Sequence, residues 1–198
     1  MVMVEASMST EPKTLLTPEQ YLEIERQAGF KSEFYRGEMF AMAGAGWNHN
    51  LLVANAISHL RAQLGSRLCY LTPSDLRVHV TATGLYTYPD VTVVCGEPQF
   101  GDHHRDTLLN PTMLVEVLSP STEAYDRGRK FENYRSIPSL QHYLLLASDR
   151  AHADLFTKRP DGHWILDSAG GAEETVELTA FGYRLRLSDL YEKVEFGQ

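Results

Sequence analysis

The chain has little cysteine, a deficit of positive charge and no long apolar run. Its two cysteines, Cys69 and Cys95, show no metal-ligand spacing, which excludes a disulfide-dense scaffold and a zinc module. Both sit in apolar, strand-like stretches, and the expectation is a pair of buried reduced thiols, as in a reducing cytoplasm. The 18 Lys and Arg residues face 26 Asp and Glu residues, a net charge of −8. That argues against the broad basic footprint of tight nonspecific nucleic-acid binding, though a local basic groove is compatible with the sum. No segment reaches the roughly 20 apolar residues of a membrane span, and Met1 to Pro12 lacks the basic start and apolar core of a signal peptide. The sequence therefore predicts no membrane association and a cytoplasmic protein.

What is present reads as one globular domain over residues 15–198, preceded by a polar, poorly patterned segment, 1–14, expected to fray. Thr17-Pro18-Glu19-Gln20 has the pattern of a helix start, with Gly29 just past the end. Tyr21, Leu22 and Ile24 begin its apolar face. Lys31 to Met42 predicts a hairpin turning at Arg36-Gly37. Trp47 to Leu64 is the clearest helix, with Leu52, Ala56, Leu60 and Leu64 recurring every four residues. Leu76, Val78 and Val80 alternate with polar residues, as in a half-buried strand. The stretch 96–110 is a polar loop about as long as compact domains tolerate without a function for it. Ser121 or Thr122 is placed to cap a helix running to about Ser136. Strands at 140–146, 153–158, 163–167 and 176–178 form a closing meander. This order predicts an α/β (α+β) fold, a mixed β-sheet core flanked by helices.

The chemistry concentrates between Tyr88 and Lys130. Val91–Cys95 and Thr112–Leu118 are short, β-branched apolar runs that read as buried strands. Each carries one carboxylate: Asp90 at the head of the first, Glu116 deep inside the second. An ionised Glu between Val115 and Val117 is costly to bury unless a cation, hydrogen bonds or a shifted pKa offsets it. Adjacent strands lie about 4.8 Å apart, so the two acids can converge on one ion. Oxygen-only ligation suits Mg²⁺ or Mn²⁺ rather than zinc.

Pro89-Asp90 followed by Glu116-Val117-Leu118 resembles the PD-(D/E)XK nuclease motif of restriction-endonuclease-like folds. The wider pattern is similar to the Uma-type family of restriction endonucleases found widely in bacteria. Here it runs through Glu33 to Glu38, His49, Tyr88-Pro89-Asp90-Val91 and Val115 to Ser121. It continues through Asp126, Lys130 and Tyr134 into Ile137 to Tyr143, covering roughly residues 17–190. The superfamily lysine is Leu118 in this chain, and the resemblance places its counterpart at Lys130 on the following helix. The resemblance implies that Asp90, Glu116 and the Val117 carbonyl hold Mg²⁺ while Lys130 positions or activates water for attack on DNA. Glu33 and His49 would complete the pocket.

Plainer readings compete at each position. Asp90 could cap a turn, Glu116 could pair with an arginine, and Lys130 could lie on a solvated face with Arg127, Arg129 and Arg135. His49 could make a structural hydrogen bond at a helix start, and Glu33 could be an exposed hairpin residue. His103-His104, with Asp102 and Asp106, reads as a polar loop tip rather than a metal site. Trp47 and Trp164 are expected to pack in the core or at an edge. A second functional class is a nucleic-acid-binding or regulatory module that keeps the fold without cleavage. The meander offers an edge for a homodimer or larger homo-oligomer.

Overall fold

Thr17 caps α1 (Pro18–Gln27) through the expected capping box: its hydroxyl accepts from the Gln20 amide while the Gln20 side chain accepts from the Thr17 amide. The computed structural model describes residues 15–196, so the segment 1–14 lies outside the described residues. Tyr21 and Glu25 form the buried side of α1, whereas Ile24 faces out. In the hairpin, β1 (Ser32–Tyr35) and β2 (Glu38–Ala41) pair antiparallel. Arg36 and Gly37 form its turn with φ of 50° and 87°, the positive values that suit the twist of a two-residue connection.

Helix α2 (Trp47–Leu64) buries Leu52, Ala56, Leu60 and Leu64, as their recurrence predicts. Trp47, expected to pack, is 77% exposed, because it opens the helix ahead of the apolar stripe. Trp164 does pack, edge-on to Phe131 at 5.5 Å.

After α2, β3 (Cys69–Pro73) joins one sheet and β4 (Arg77–Val80) another. With β5 (Leu85–Thr87), β6 (Val91–Cys95), β7 (Thr107–Leu108) and β8 (Met113–Leu118), the core takes shape. The hairpin continues into a five-stranded sheet of order β2-β1-β5-β4-β7. A meander of β9 (His142–Ala147), β10 (His152–Lys158) and β11 (Trp164–Gly170) completes a six-stranded sheet of order β11-β10-β9-β8-β6-β3. A ribbon of β12 (Thr175–Leu178) and β13 (Tyr183–Arg186) and the short α5 (Leu187–Leu190) close the chain.

Residues of β8 alternate between two cores. Met113, Val115 and Val117 pack with α2, while Leu114 and Leu118 pack with Val78, Val80, Leu85 and Tyr134. Alternation puts Glu116 on the second side. Strands β8 and β9 are parallel, which requires a crossover, here supplied by a helix. The single helix expected to Ser136 is three joined pieces: α3 (Glu123–Tyr125), a π turn over Asp126–Lys130, and α4 (Phe131–Tyr134). Thr122 holds the N-cap position without a side-chain cap bond, its hydroxyl being engaged with Ser119.

Three further expectations are corrected. Cys69 and Cys95 form a disulfide, not a pair of reduced thiols. The antiparallel register sets them directly opposite, Cα to Cα 4.0 Å, and so the cysteine argument for a reducing compartment falls away. Arg77, on the face expected to meet solvent, is buried between the rings of Tyr21 and Tyr88. It pairs with Asp106 at 3.2 Å. Finally, the loop after β6 is tied down: β7 pairs with β4, and Asp102 and Asp106 clamp Arg26 of α1 at 2.6 and 2.8 Å. Arg26 accordingly holds the Asp106 carboxyl well below the usual carboxylate range.

Candidate active site

Strand pairing brings the two motif acids together. β6 and β8 run antiparallel with Val91 opposite Val115. One further step of that register sets Asp90 opposite Glu116, and opposed residues project to the same face. Asp90 Oδ2 accepts from the Val117 amide at 2.7 Å and Oδ1 contacts His49 Nε2 at 3.0 Å. His49, in the first turn of α2, thus fixes Asp90 from one side. Val117 enters through its amide in these contacts.

Glu116 is 4% exposed, and Lys130 is equally buried. Lys130 Nζ lies 2.8 Å from Glu116 Oε1, 3.3 Å from Glu33 Oε1 and 3.4 Å from Asp126 Oδ1. The solvated-face reading of Lys130 is therefore overturned, and the cation on Glu116 is a lysine rather than an arginine. Glu33 is held in the cluster from β1: the Thr87 and Tyr125 hydroxyls both donate to it. It is no free hairpin residue.

The basic residues of the helix separate. Asp126 and Lys130, in the π turn, face inward, and π turns recur at functional sites. Arg127 is drawn off to Glu123 and Asp154, while Arg129 and Arg135 are exposed. The four basic residues do not share one solvated face.

The electrostatics follow from burial. Desolvation pushes the Glu116 carboxyl well above the ordinary carboxylate range; Lys130 opposes this, and Asp90 and Asp126 add to it. Asp126 is raised for the same first reason, again against Lys130. Burial alone would pull Lys130 down, but Glu116, Tyr134, Glu33 and Asp126 outweigh it and hold the ammonium charged. One ammonium thus faces Glu116, Glu33 and Asp126.

Sequence reasoning assigned no role to three donors. The Tyr134 hydroxyl donates to Glu116 Oε1 at 2.8 Å, and Tyr125 and Thr87 secure Glu33. Tyr134 carried a usable signal, since it lies one helical turn beyond Lys130 and therefore near the same face. Thr87 carried none, because its contact depends on β1 pairing with β5.

Among the described residues, no three side chains of His, Cys, Asp and Glu assemble into a metal cage. The donor set still fits a hard divalent cation, which takes one or two carboxylates and completes its shell with water. Tyr134 and Lys130 both meet Glu116 at Oε1.

This mixed α/β arrangement recurs in a solved structure. It matches the crystal structure of a protein from Anabaena variabilis, described as a putative nuclease belonging to DUF820, with a TM-score of 0.72. The match covers 87% of this chain and 96% of that one at 15% identity, a likeness of fold. The chain belongs to the Uma2 family, whose model matches residues 18–188 under the description "Putative restriction endonuclease". Two uncharacterized proteins of Synechocystis sp. are also similar. One, sll1609, is 38% identical over 83% of this chain and 93% of its own length. The other, slr1290, is 36% identical over 93% and 96%. No helix among the described residues is long and apolar enough to cross a membrane.

Proposed function

We propose that the chain is an endonuclease that hydrolyses phosphodiester bonds of DNA with a divalent cation, Mg²⁺ or Mn²⁺. The observation that carries this reading is the juxtaposition of Asp90 and Glu116 on paired strands beside the buried Lys130. Two like charges held together in a poorly solvated site favour a cation between them. Asp90, Glu116 and the Val117 carbonyl would hold it. When bound, the ion supplies Lewis-acid polarisation and a lowered pKa for water. His49 and the Val117 amide keep the Asp90 carboxylate oriented, and Tyr134 does the same for Glu116. Lys130 supplies a fixed positive charge to orient water or to stabilise the charge that builds on the scissile phosphate. Glu33 and Asp126 hold that ammonium in place and charged.

The test is a cleavage assay on single- and double-stranded DNA with Mg²⁺, Mn²⁺ or EDTA, run beside Asp90→Asn. The expected result is cation-dependent cleavage that falls at least about a thousandfold in the variant, equivalent to several kcal/mol of lost charge stabilisation. Cleavage in EDTA, or an unaffected variant, overturns the reading. One observation favours a second reading, a binding module without cleavage: Glu116 and Lys130 are closed off from solvent. A wild type that binds DNA but cuts nothing under any cation, with binding retained in Asp90→Asn, would establish it.

Self-association is part of the proposal. β11 is an edge strand with Ile165 and Leu166 exposed, and unpaired edges template pairing with a second copy. Sedimentation should show a dimer or larger assembly that Leu166→Lys weakens.

A further inference from the structure

A cleft of about 500 Å³ opens between the β1–β2 hairpin and the start of α4, lined by Tyr35, Arg36, Glu38, Phe40, Arg129 and Asn133 among others. Both walls carry chain neighbours of the candidate active site. Tyr35 lies two residues beyond Glu33 on the same side of β1; Arg129 precedes Lys130, and Asn133 precedes Tyr134. Phe40 is 49% exposed on the edge strand β2. The Arg36 guanidinium stacks 5.0 Å over the Tyr35 ring. Thr83, also in the lining, has a hydroxyl shielded from solvent and without a hydrogen-bond partner among the described residues.

The charges in the cleft balance, Arg36 and Arg129 against Glu38 and Glu132. A duplex shows its partner chiefly phosphates and groove edges, and its affinity follows the number of phosphates neutralised. This lining offers few such contacts. What it offers is aromatic and guanidinium planes, which suit bases whose faces are uncovered. We infer, building on the nuclease reading, that the site takes single-stranded nucleic acid, with an unpaired base stacking on Phe40 and the backbone crossing the Asp90–Glu116–Lys130 cluster. Arg36 and Arg129 contact phosphates along that path.

The experiment measures binding without cleavage, so it stands apart from the hydrolytic reading. Fluorescently labelled oligo-dT and a blunt duplex of equal length are titrated with the full chain in EDTA, followed by anisotropy. Oligo-dT should bind more tightly than the duplex, and Phe40→Ala should weaken it about tenfold, the scale of one lost stack. Phe40→Tyr, which keeps a ring, should retain most of the affinity. An oligo-rU arm separates DNA from RNA, and tight binding of either single strand satisfies the proposal. Duplex bound as tightly as oligo-dT, no binding of either single strand, or a Phe40→Ala variant that binds like the wild type would overturn it.

Discussion

Lys130 Nζ lies 2.8 Å from Glu116 Oε1, and the two side chains are buried together, Glu116 on a strand whose other residues are all apolar. Removing one partner of such a pair leaves an uncompensated buried charge, at a cost of about 3–5 kcal/mol. Lys130→Met should lose that much in urea unfolding, and Lys130→Met with Glu116→Gln should recover most of it. The loss in the single variant should be larger at pH 8 than at pH 5. Without the ammonium, the pKa values of Glu116 and Asp126 rise further, and stability tied to a raised carboxyl pKa is present at low pH and lost as pH rises through it.

Tyr134→Phe isolates the orienting bond to Glu116. The ring keeps its edge-on contact with Tyr143 at 5.1 Å, so only the hydroxyl goes. A hydrogen bond to a charged acceptor is worth about 1.5–3 kcal/mol. The expected result is a modest drop in melting temperature together with roughly tenfold slower cleavage, carried in kcat rather than KM.

His142 sets the acid limit of the fold. It is fully buried, and Nε2 accepts from the Ala180 amide at 3.0 Å. Burial lowers its pKa from 6.5 to about 4. The neutral ring is the native form, so this contribution is complete above pH 6.5 and is lost as pH falls toward 4. The gap corresponds to about 3 kcal/mol. Chemical denaturation across that window should show the decline, and His142→Gln should flatten it.

The Cys69–Cys95 bridge closes a loop spanning 26 residues, for which chain entropy gives roughly 3–4 kcal/mol. Dithiothreitol, or Cys69→Ser with Cys95→Ser, should lower stability by about that amount. Cleavage should persist, because Asp90 stands at the opposite end of β6. Thiol titration before and after unfolding checks the bond itself.

Much of this molecule is legible in the one-dimensional chain because local rules dominate there. The capping box at Thr17, the turn at Arg36-Gly37 and the buried row on α2 each depend on residues within one or two turns of one another. Glu116 announces itself because a carboxylate in a β-branched run is costly wherever that run is buried. Pairing and packing between distant segments lie beyond such rules. Spacing cannot say that Cys69 faces Cys95, that Arg77 turns inward to Asp106, or that Trp47 misses the core.

The residue types and their order determined by themselves that two acids and a lysine would be the costly groups of this protein. Only the tertiary structure decided which neighbours offset that cost. The register between β6 and β8 put Asp90 beside Glu116, the π turn carried Lys130 inward while Arg127 was drawn to Asp154, and the hairpin's place against β5 brought in Glu33. Each of these rests on contacts between segments tens of residues apart, whose energies no local pattern encodes.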